Sequence, residues 1–127
     1  NELDEQGLID LIEFQIDKGT HGIVPCGTTG ESPTLTHAEH LRVVEITVEE
    51  AKGNVPVVAG CGGYNTAELV ALAKELKALG VDGLLSVTPY YNKPPVRGIV
   101  AHFDAIAEVS NRPIIVYNIA QLRKVAR

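Results

Sequence analysis

Asp82-Gly83-Leu84-Leu85-Ser86-Val87 is the stretch that decides the fold, because it is apolar almost throughout and does not alternate apolar with polar residues. A strand of this composition is covered on both faces, as the strands of a parallel sheet are. Three similar runs occur elsewhere and begin roughly 30 residues apart, the spacing of a repeated strand and helix. They are residues 22–26, 55–59 and 113–117. The four runs predict four parallel strands.

Helical patterns occupy the segments between these runs. Apolar residues recur every three or four positions there, which places them on one face of a helix. The helices are expected at about 5–18, 36–53, 65–80 and after Pro94-Pro95. Thr36 and Glu39 have the spacing of a capping box, which marks the start of the second helix. The first three patterns each stop at a glycine, a residue that readily adopts the left-handed conformation ending many helices.

The alternation of helices and strands predicts an α/β fold with a parallel sheet. A doubly wound sheet and a (β/α)8 TIM barrel both fit it, but neither a GxGxxG fingerprint nor a Walker loop is present, so the barrel is favoured. A whole barrel takes ~250 residues, so four strands are about half of one. We therefore expect residues 1–127 to be one partial barrel catalytic domain without its first strand and later strands. The absence of any Met also indicates a longer polypeptide.

Composition excludes several classes of function. The net charge of −5 and the pI near 5.3 argue against a protein that binds nucleic acid, because such proteins gather basic residues on one face. No apolar stretch reaches the ~18 residues that cross a bilayer, and the first residues are acidic where a signal peptide is basic. We expect a cytoplasmic protein that does not bind membranes. Cys26 and Cys61 form no CxxC pair and are predicted to be reduced, buried thiols.

Polar residues follow three of the four apolar runs, where the loops of a barrel form the active-site face. They are Gly-Thr-Thr-Gly-Glu at 27–31, Thr-Pro-Tyr-Tyr-Asn-Lys-Pro at 88–94 and Tyr117-Asn118. The first segment offers backbone N–H groups and hydroxyls that could cradle a carboxylate or phosphate, or it is a tight turn capped by its threonines. The tyrosines could equally be loop residues with hydroxyls in water, or, for Tyr117, an ordinary core residue.

Taken together, these residues resemble the dihydrodipicolinate synthase family. The resemblance runs from about Leu3 to Asn118 and rests on the three segments above, extended to Ser32 and Val116, and on Ala59-Gly60. It implies a Schiff-base lyase that condenses pyruvate with aspartate semialdehyde in lysine biosynthesis, through diaminopimelate. It also implies that no metal and no organic cofactor take part.

The resemblance further implies residue roles. Thr28, Tyr91 and Tyr117 match a chain of hydroxyls that relays protons, and Thr29 matches a threonine that holds the pyruvate carboxylate. Hydroxyls suit imine formation, which moves protons without a strong permanent charge in the site. Tyr91 matches a tyrosine supplied across a subunit interface, which implies a homodimer or homotetramer.

The sequence also departs from the family pattern. The Schiff-base lysine of the family lies at the end of the next strand, beyond Arg127, so the chain as given lacks it and is expected to be inactive alone. Arg123 stands one place too late to match the arginine that binds substrate carboxylate. Residues 119–127 resemble part of the following helix, so we expect that residues are omitted after Asn118.

Three other functions stay open. A sialic-acid or keto-deoxy-sugar-acid aldolase shares the lysine chemistry. Thr28-Thr29 and residues 90–94, however, favour the synthase over these aldolases. A phosphate-binding barrel isomerase would use residues 27–31 as an anion cradle, but it would need a second glycine-rich phosphate loop. A non-catalytic half-barrel is what the 127 residues could form by themselves.

Overall fold

The computed structural model describes residues 2–89 and 92–119. From the second helix onward the helices and strands alternate as the sequence predicts. They are α1 (Glu5–Asp17), α2 (His37–Ala51), β1 (Val58–Gly60), α3 (Thr66–Leu79), β2 (Gly83–Val87), α4 (Val96–Ser110) and β3 (Ile114–Tyr117), with a short 3-10 turn at Ser32–Thr34. No helix in the described part of the chain is both long and apolar enough to span a bilayer.

The three strands are parallel and lie side by side in chain order, with Ala59 opposite Leu84 and Leu85 opposite Ile115. Each helix packs against the next one along the chain, from α1 to α4. A doubly wound sheet reverses its strand order at a switch point, whereas a barrel continues in one direction. The three described strands continue in one direction, as in a segment of a (β/α)8 barrel.

Local signals set the helix ends, as predicted. The Thr36 hydroxyl accepts a hydrogen bond from the Glu39 N–H at 3.2 Å, and the Glu39 carboxylate accepts one from the Thr36 N–H at 3.1 Å, so the capping box is confirmed. The glycines predicted to stop the first three helices, Gly19, Gly53 and Gly80, all have positive φ angles, of 92°, 75° and 88°. Glycine adopts this backbone conformation without the steric cost that a side chain adds.

The prediction of a strand at residues 22–26 is wrong in the described structure, because only Ile23 makes a bridge, to Val57. The run does lie parallel to β1, since Ile23 donates to Pro56 and its carbonyl accepts from Val58. Gly60 likewise donates to the carbonyl of Pro25 at 2.9 Å. Pro25 has no N–H to return the next ladder bond, and Cys26 turns into a left-handed conformation with φ 59°. The sheet therefore has three strands and one flanking bridge in this part of the chain.

The apolar core lies between the sheet and the helices. Its fully buried members come from α2, β1, α3, β2 and α4, and include Val44, Ala59, Leu76, Leu84 and Ile106. The expectation that every run is covered on both faces fails at β3, where Ile115, Val116 and Tyr117 are each about half exposed. β3 is the edge of the described sheet, so no neighbouring strand covers it.

Candidate active site

An open cavity of about 800 Å³ lies at the carboxyl ends of the parallel strands. Its wall combines the turn at residues 27–30, the end of β1 with the loop that follows it, the inward side chains of β2, and the end of β3. The lining residues in the strands are Gly60, Leu85, Val87 and Tyr117. This is the edge of the sheet at which barrel enzymes bind their substrates.

Three of the four predicted site residues line this one cavity. Thr28 and Thr29 reach it from the turn after the first apolar run, and Tyr117 reaches it from the end of β3. The Tyr117 side chain is 48% exposed, so in the described structure it is not a buried core tyrosine. Tyr91, the fourth residue, lies outside the described residues, as do Arg123 and the helical segment predicted at the end of the chain.

The turn that carries the threonines is closed by its own backbone. The N–H of Glu31 donates to the carbonyl of Thr28 at 3.0 Å, and the N–H of Ser32 donates to the carbonyl of Gly27 at 3.4 Å. No hydrogen bond joins the Thr28 or Thr29 hydroxyl to another described residue. The turn therefore leaves both hydroxyls available to a ligand in the cavity.

The backbone of Tyr117 is fixed by pairing at the end of the sheet. Tyr117 lies opposite Val87, and its carbonyl accepts a hydrogen bond from the N–H of Thr88 at 3.1 Å. The side chains of Val87 and Tyr117 thus face the cavity from adjacent strands. The backbone of Tyr117 is therefore fixed where the strand ends and the polar loops begin.

The wall of the cavity depends on a close approach between Gly60 and the first apolar run. A Cβ atom at Gly60 would collide with the carbonyl oxygen of Cys26, which is a backbone atom and cannot swing away. The approach also brings Gly60 to His40, whose Nε2 lies 2.9 Å from the Gly60 carbonyl. A carbonyl only accepts, so Nε2 carries the proton in this bond.

Sequence reasoning missed His40 as a cavity residue. Desolvation lowers the pKa of its imidazole, although the bond to Gly60 opposes the shift, so the ring is neutral near pH 7. His37 also lines the cavity and pairs with Glu75 at 3.0 Å. For His40 the available signal in the sequence is its place three positions after His37, on one face of a helix.

The cysteines supply no nucleophile to the cavity. Both are free and buried, as predicted, and Cys26 lies in the cavity wall. Burial raises the pKa of Cys26 to about 11 and that of Cys61 to about 12. A thiol with such a pKa is protonated at neutral pH, and only the thiolate is an effective nucleophile.

The described part of the cavity wall offers hydroxyls but no amine. No lysine lines it, so these residues can bind a carboxylate and move protons but cannot form an imine. No group of three or more His, Cys, Asp or Glu suited to a metal ion occurs in residues 2–89 and 92–119.

The chain is similar to known proteins along nearly its whole length. A family model described as the dihydrodipicolinate synthetase family matches residues 1–126. The 4-hydroxy-tetrahydrodipicolinate synthase of Parvibaculum lavamentivorans is 57% identical over 117 residues, which are 92% of this chain and 40% of that protein. The chain thus spans about 40% of the length of the curated relatives it matches.

Solved structures are also similar to this chain along nearly its whole length. The crystal structure of dihydrodipicolinate synthase from Aquifex aeolicus has a TM-score of 0.92 and 50% identity, and the match covers 98% of this chain and 42% of that one. The chloride-inhibited dihydrodipicolinate synthase from Acinetobacter baumannii, complexed with pyruvate, has a TM-score of 0.91 and 42% identity, over 97% of this chain and 42% of that one.

Proposed function

Because the chain belongs to the dihydrodipicolinate synthetase family, we propose that the whole protein is a Schiff-base lyase that condenses pyruvate with aspartate semialdehyde. In this proposal residues 1–127 supply part of a (β/α)8 barrel domain. The product serves lysine biosynthesis by way of diaminopimelate. Curated relatives at 54–57% identity carry the name 4-hydroxy-tetrahydrodipicolinate synthase, which favours this activity over that of a sugar-acid aldolase.

One observation of the structure carries the proposal: hydroxyls from two distant parts of the chain, Thr28 and Tyr117, line one cavity. A lysine amine that attacks the ketone of pyruvate must lose protons, and the ketone oxygen must gain them to leave as water. A hydroxyl both donates and accepts hydrogen bonds, so a chain of hydroxyls can pass these protons. We assign Thr28, Tyr91 and Tyr117 to this relay.

The turn at residues 27–30 is proposed as the pyruvate carboxylate site. Thr29 offers a hydroxyl with no partner among the described residues, and the turn exposes backbone next to it in the same cavity. Neutral donors of this kind bind a carboxylate without placing a fixed positive charge beside the reacting carbon. The pyruvate complex of the Acinetobacter baumannii enzyme, a structural relative, supports the choice of ligand.

We further propose that the protein is a cytoplasmic homodimer or homotetramer. The Tyr91 hydroxyl would then be supplied to the site of the neighbouring subunit. The resemblance of residues 88–94 to the family's tyrosine loop supports this assignment.

Borohydride trapping tests the proposed function. Borohydride reduces an imine to a stable amine, so the full-length protein treated with pyruvate and borohydride should gain one pyruvate-derived adduct per subunit. Peptide mapping should place it on a lysine outside these 127 residues. Treatment with borohydride alone is the control, and a full-length protein that gains no adduct would overturn the lyase assignment.

A further inference from the structure

A partly buried hydrogen bond joins the first turns of α3 and α4. The Oγ1 atom of Thr66, the first residue of α3, lies 2.7 Å from Nδ1 of His102 in the second turn of α4. His102 is only 3% exposed, and its Nε2 has no hydrogen-bond partner among the described residues. Burying an imidazole with one nitrogen unpaired costs free energy that an apolar residue at this position would not cost.

The first turns of α3 and α4 are fixed by different means. At the start of α3, the Asn65 side chain accepts a hydrogen bond from the N–H of Glu68. At the start of α4, Pro95 occupies the capping position, and no side chain caps the helix within the described residues. The first turns of α4 therefore depend on contacts with neighbouring elements, and the hydrogen bond between His102 and Thr66 is such a contact.

A loop precedes each helix start, and the loop before α3 lines the cavity. The loop before Thr66 includes Gly62, Gly63 and Tyr64, which line the cavity. The loop before α4 is the tyrosine-bearing segment, and its Asn92 side chain donates to the carbonyl of Tyr64 at 3.0 Å. In addition to the packing of α3 against α4, two hydrogen bonds thus join these two loop-and-helix units, one between the loops and one between the helices.

We propose that Thr66 and His102 are positioning residues, whose hydrogen bond fixes the start of α4 and so, through Asn92, holds the cavity loop at residues 62–64 in place for catalysis. This inference rests on the proposed function. A hydrogen-bonded polar pair between helices specifies one relative placement, whereas an apolar pair tolerates small shifts. A shift of about 1 Å at a catalytic group can lower turnover ~100-fold.

Two matched pairs of substitutions isolate the hydrogen bond. Thr66→Val removes the hydroxyl at nearly constant shape, whereas Thr66→Ser keeps it. His102→Asn puts an amide where Nδ1 lies and keeps the bond, whereas His102→Gln puts its amide toward Nε2 and loses it. A loss of packing alone would not follow this pattern, because Thr66→Ser removes a methyl group that Thr66→Val retains.

The experiment measures kcat per competent site in the full-length protein. The amount of pyruvate adduct trapped by borohydride counts the competent sites, so a fall in folded protein alone leaves this quantity unchanged. We expect Thr66→Val and His102→Gln to lower it by roughly 10- to 100-fold, with little change in the KM for pyruvate. Thr66→Ser and His102→Asn should stay within about threefold of wild type, well short of that range.

The outcomes separate this inference from the proposed function. Equal kcat per site in Thr66→Val and wild type would overturn the inference alone. If His102→Gln does not fold, the Thr66 pair decides by itself. A wild-type protein that forms no adduct would overturn the proposed function and this inference with it.

Discussion

The role proposed for Tyr117 in the proton relay depends on its hydroxyl group alone. Tyr117→Phe removes only the hydroxyl, and the ring is half exposed at the end of β3, so the melting temperature should change little. We expect kcat to fall ~100-fold or more, the contribution of a general acid-base group. Steady-state kinetics on the full-length protein check this, and unchanged turnover would remove Tyr117 from the relay.

Gly60 is a second position at which one atom matters, because an added Cβ atom should lower the stability of the fold. Gly60→Ala forces a Cβ atom against the Cys26 carbonyl, and overpacking of this kind costs about 1–3 kcal/mol or more. The urea midpoint of the full-length protein should fall accordingly. Gly63→Ala is the matched control, because its Cβ would meet Leu69 at 3.5 Å, an ordinary contact. Equal midpoints for the two variants would contradict the close approach.

His102 should make stability depend on pH. Desolvation lowers the pKa of its buried imidazole, so below the ordinary value near 6.5 the unfolded chain takes up a proton before the folded protein does. The free energy of unfolding should therefore decline as the pH falls from about 7.5 to 5.5. His102→Asn does not titrate, so part of the decline should disappear in this variant. A free-energy difference between variant and wild type that is constant with pH would contradict the prediction.

At the scale of elements, single substitutions test the contribution of the capping box of α2 to stability. Thr36→Ala removes the hydroxyl that accepts from Glu39, and loss of such a cap costs about 1 kcal/mol. Thr36→Ser keeps the hydroxyl and should retain most of the stability. Chemical denaturation of the full-length protein measures both, and equal losses in the two variants would show that the methyl group matters more than the cap.

Helix ends were predictable because their signals are local. Thr36 with Glu39, and the glycines with positive φ, act within a few residues of the end they define. The failure at residues 22–26 was also local in cause, since the missing N–H of Pro25 breaks the ladder to β1. Because proline cannot donate a hydrogen bond to the ladder, Pro25 within this apolar run already argued against a regular strand there.

The polar contacts between elements were not predictable in the same way. Thr66 and His102 are 36 positions apart, and His40 and Gly60 are 20 apart. No periodicity or capping rule relates such positions, because tertiary packing alone brings them together. Sequence reasoning therefore located the turn at residues 27–30 and Tyr117, which line the cavity, but missed the loop at residues 62–65, His40 in the wall and the bond that joins α3 to α4.

At the scale of the whole molecule, the described structure exposes apolar surface on both flanks. Leu11 and Phe14 are exposed on α1, and Val100, Ile115 and Val116 are exposed on α4 and β3. An unpaired strand edge with exposed apolar residues favours association. Residues 1–127 expressed alone should therefore self-associate in size-exclusion chromatography, with the full-length protein as control. A monodisperse monomer of the short chain would contradict this prediction.

The most direct test of the proposed function is the choice of aldehyde. With pyruvate in excess, the full-length protein should consume aspartate semialdehyde with a higher kcat/KM than any sugar aldehyde, because Thr28, Thr29 and residues 88–94 follow the synthase pattern. The measurement compares aspartate semialdehyde with sugar-derived aldehydes under identical conditions. A preference for aspartate semialdehyde is the result that we predict. A preference for a sugar aldehyde would keep the Schiff-base mechanism and contradict the assignment as a synthase.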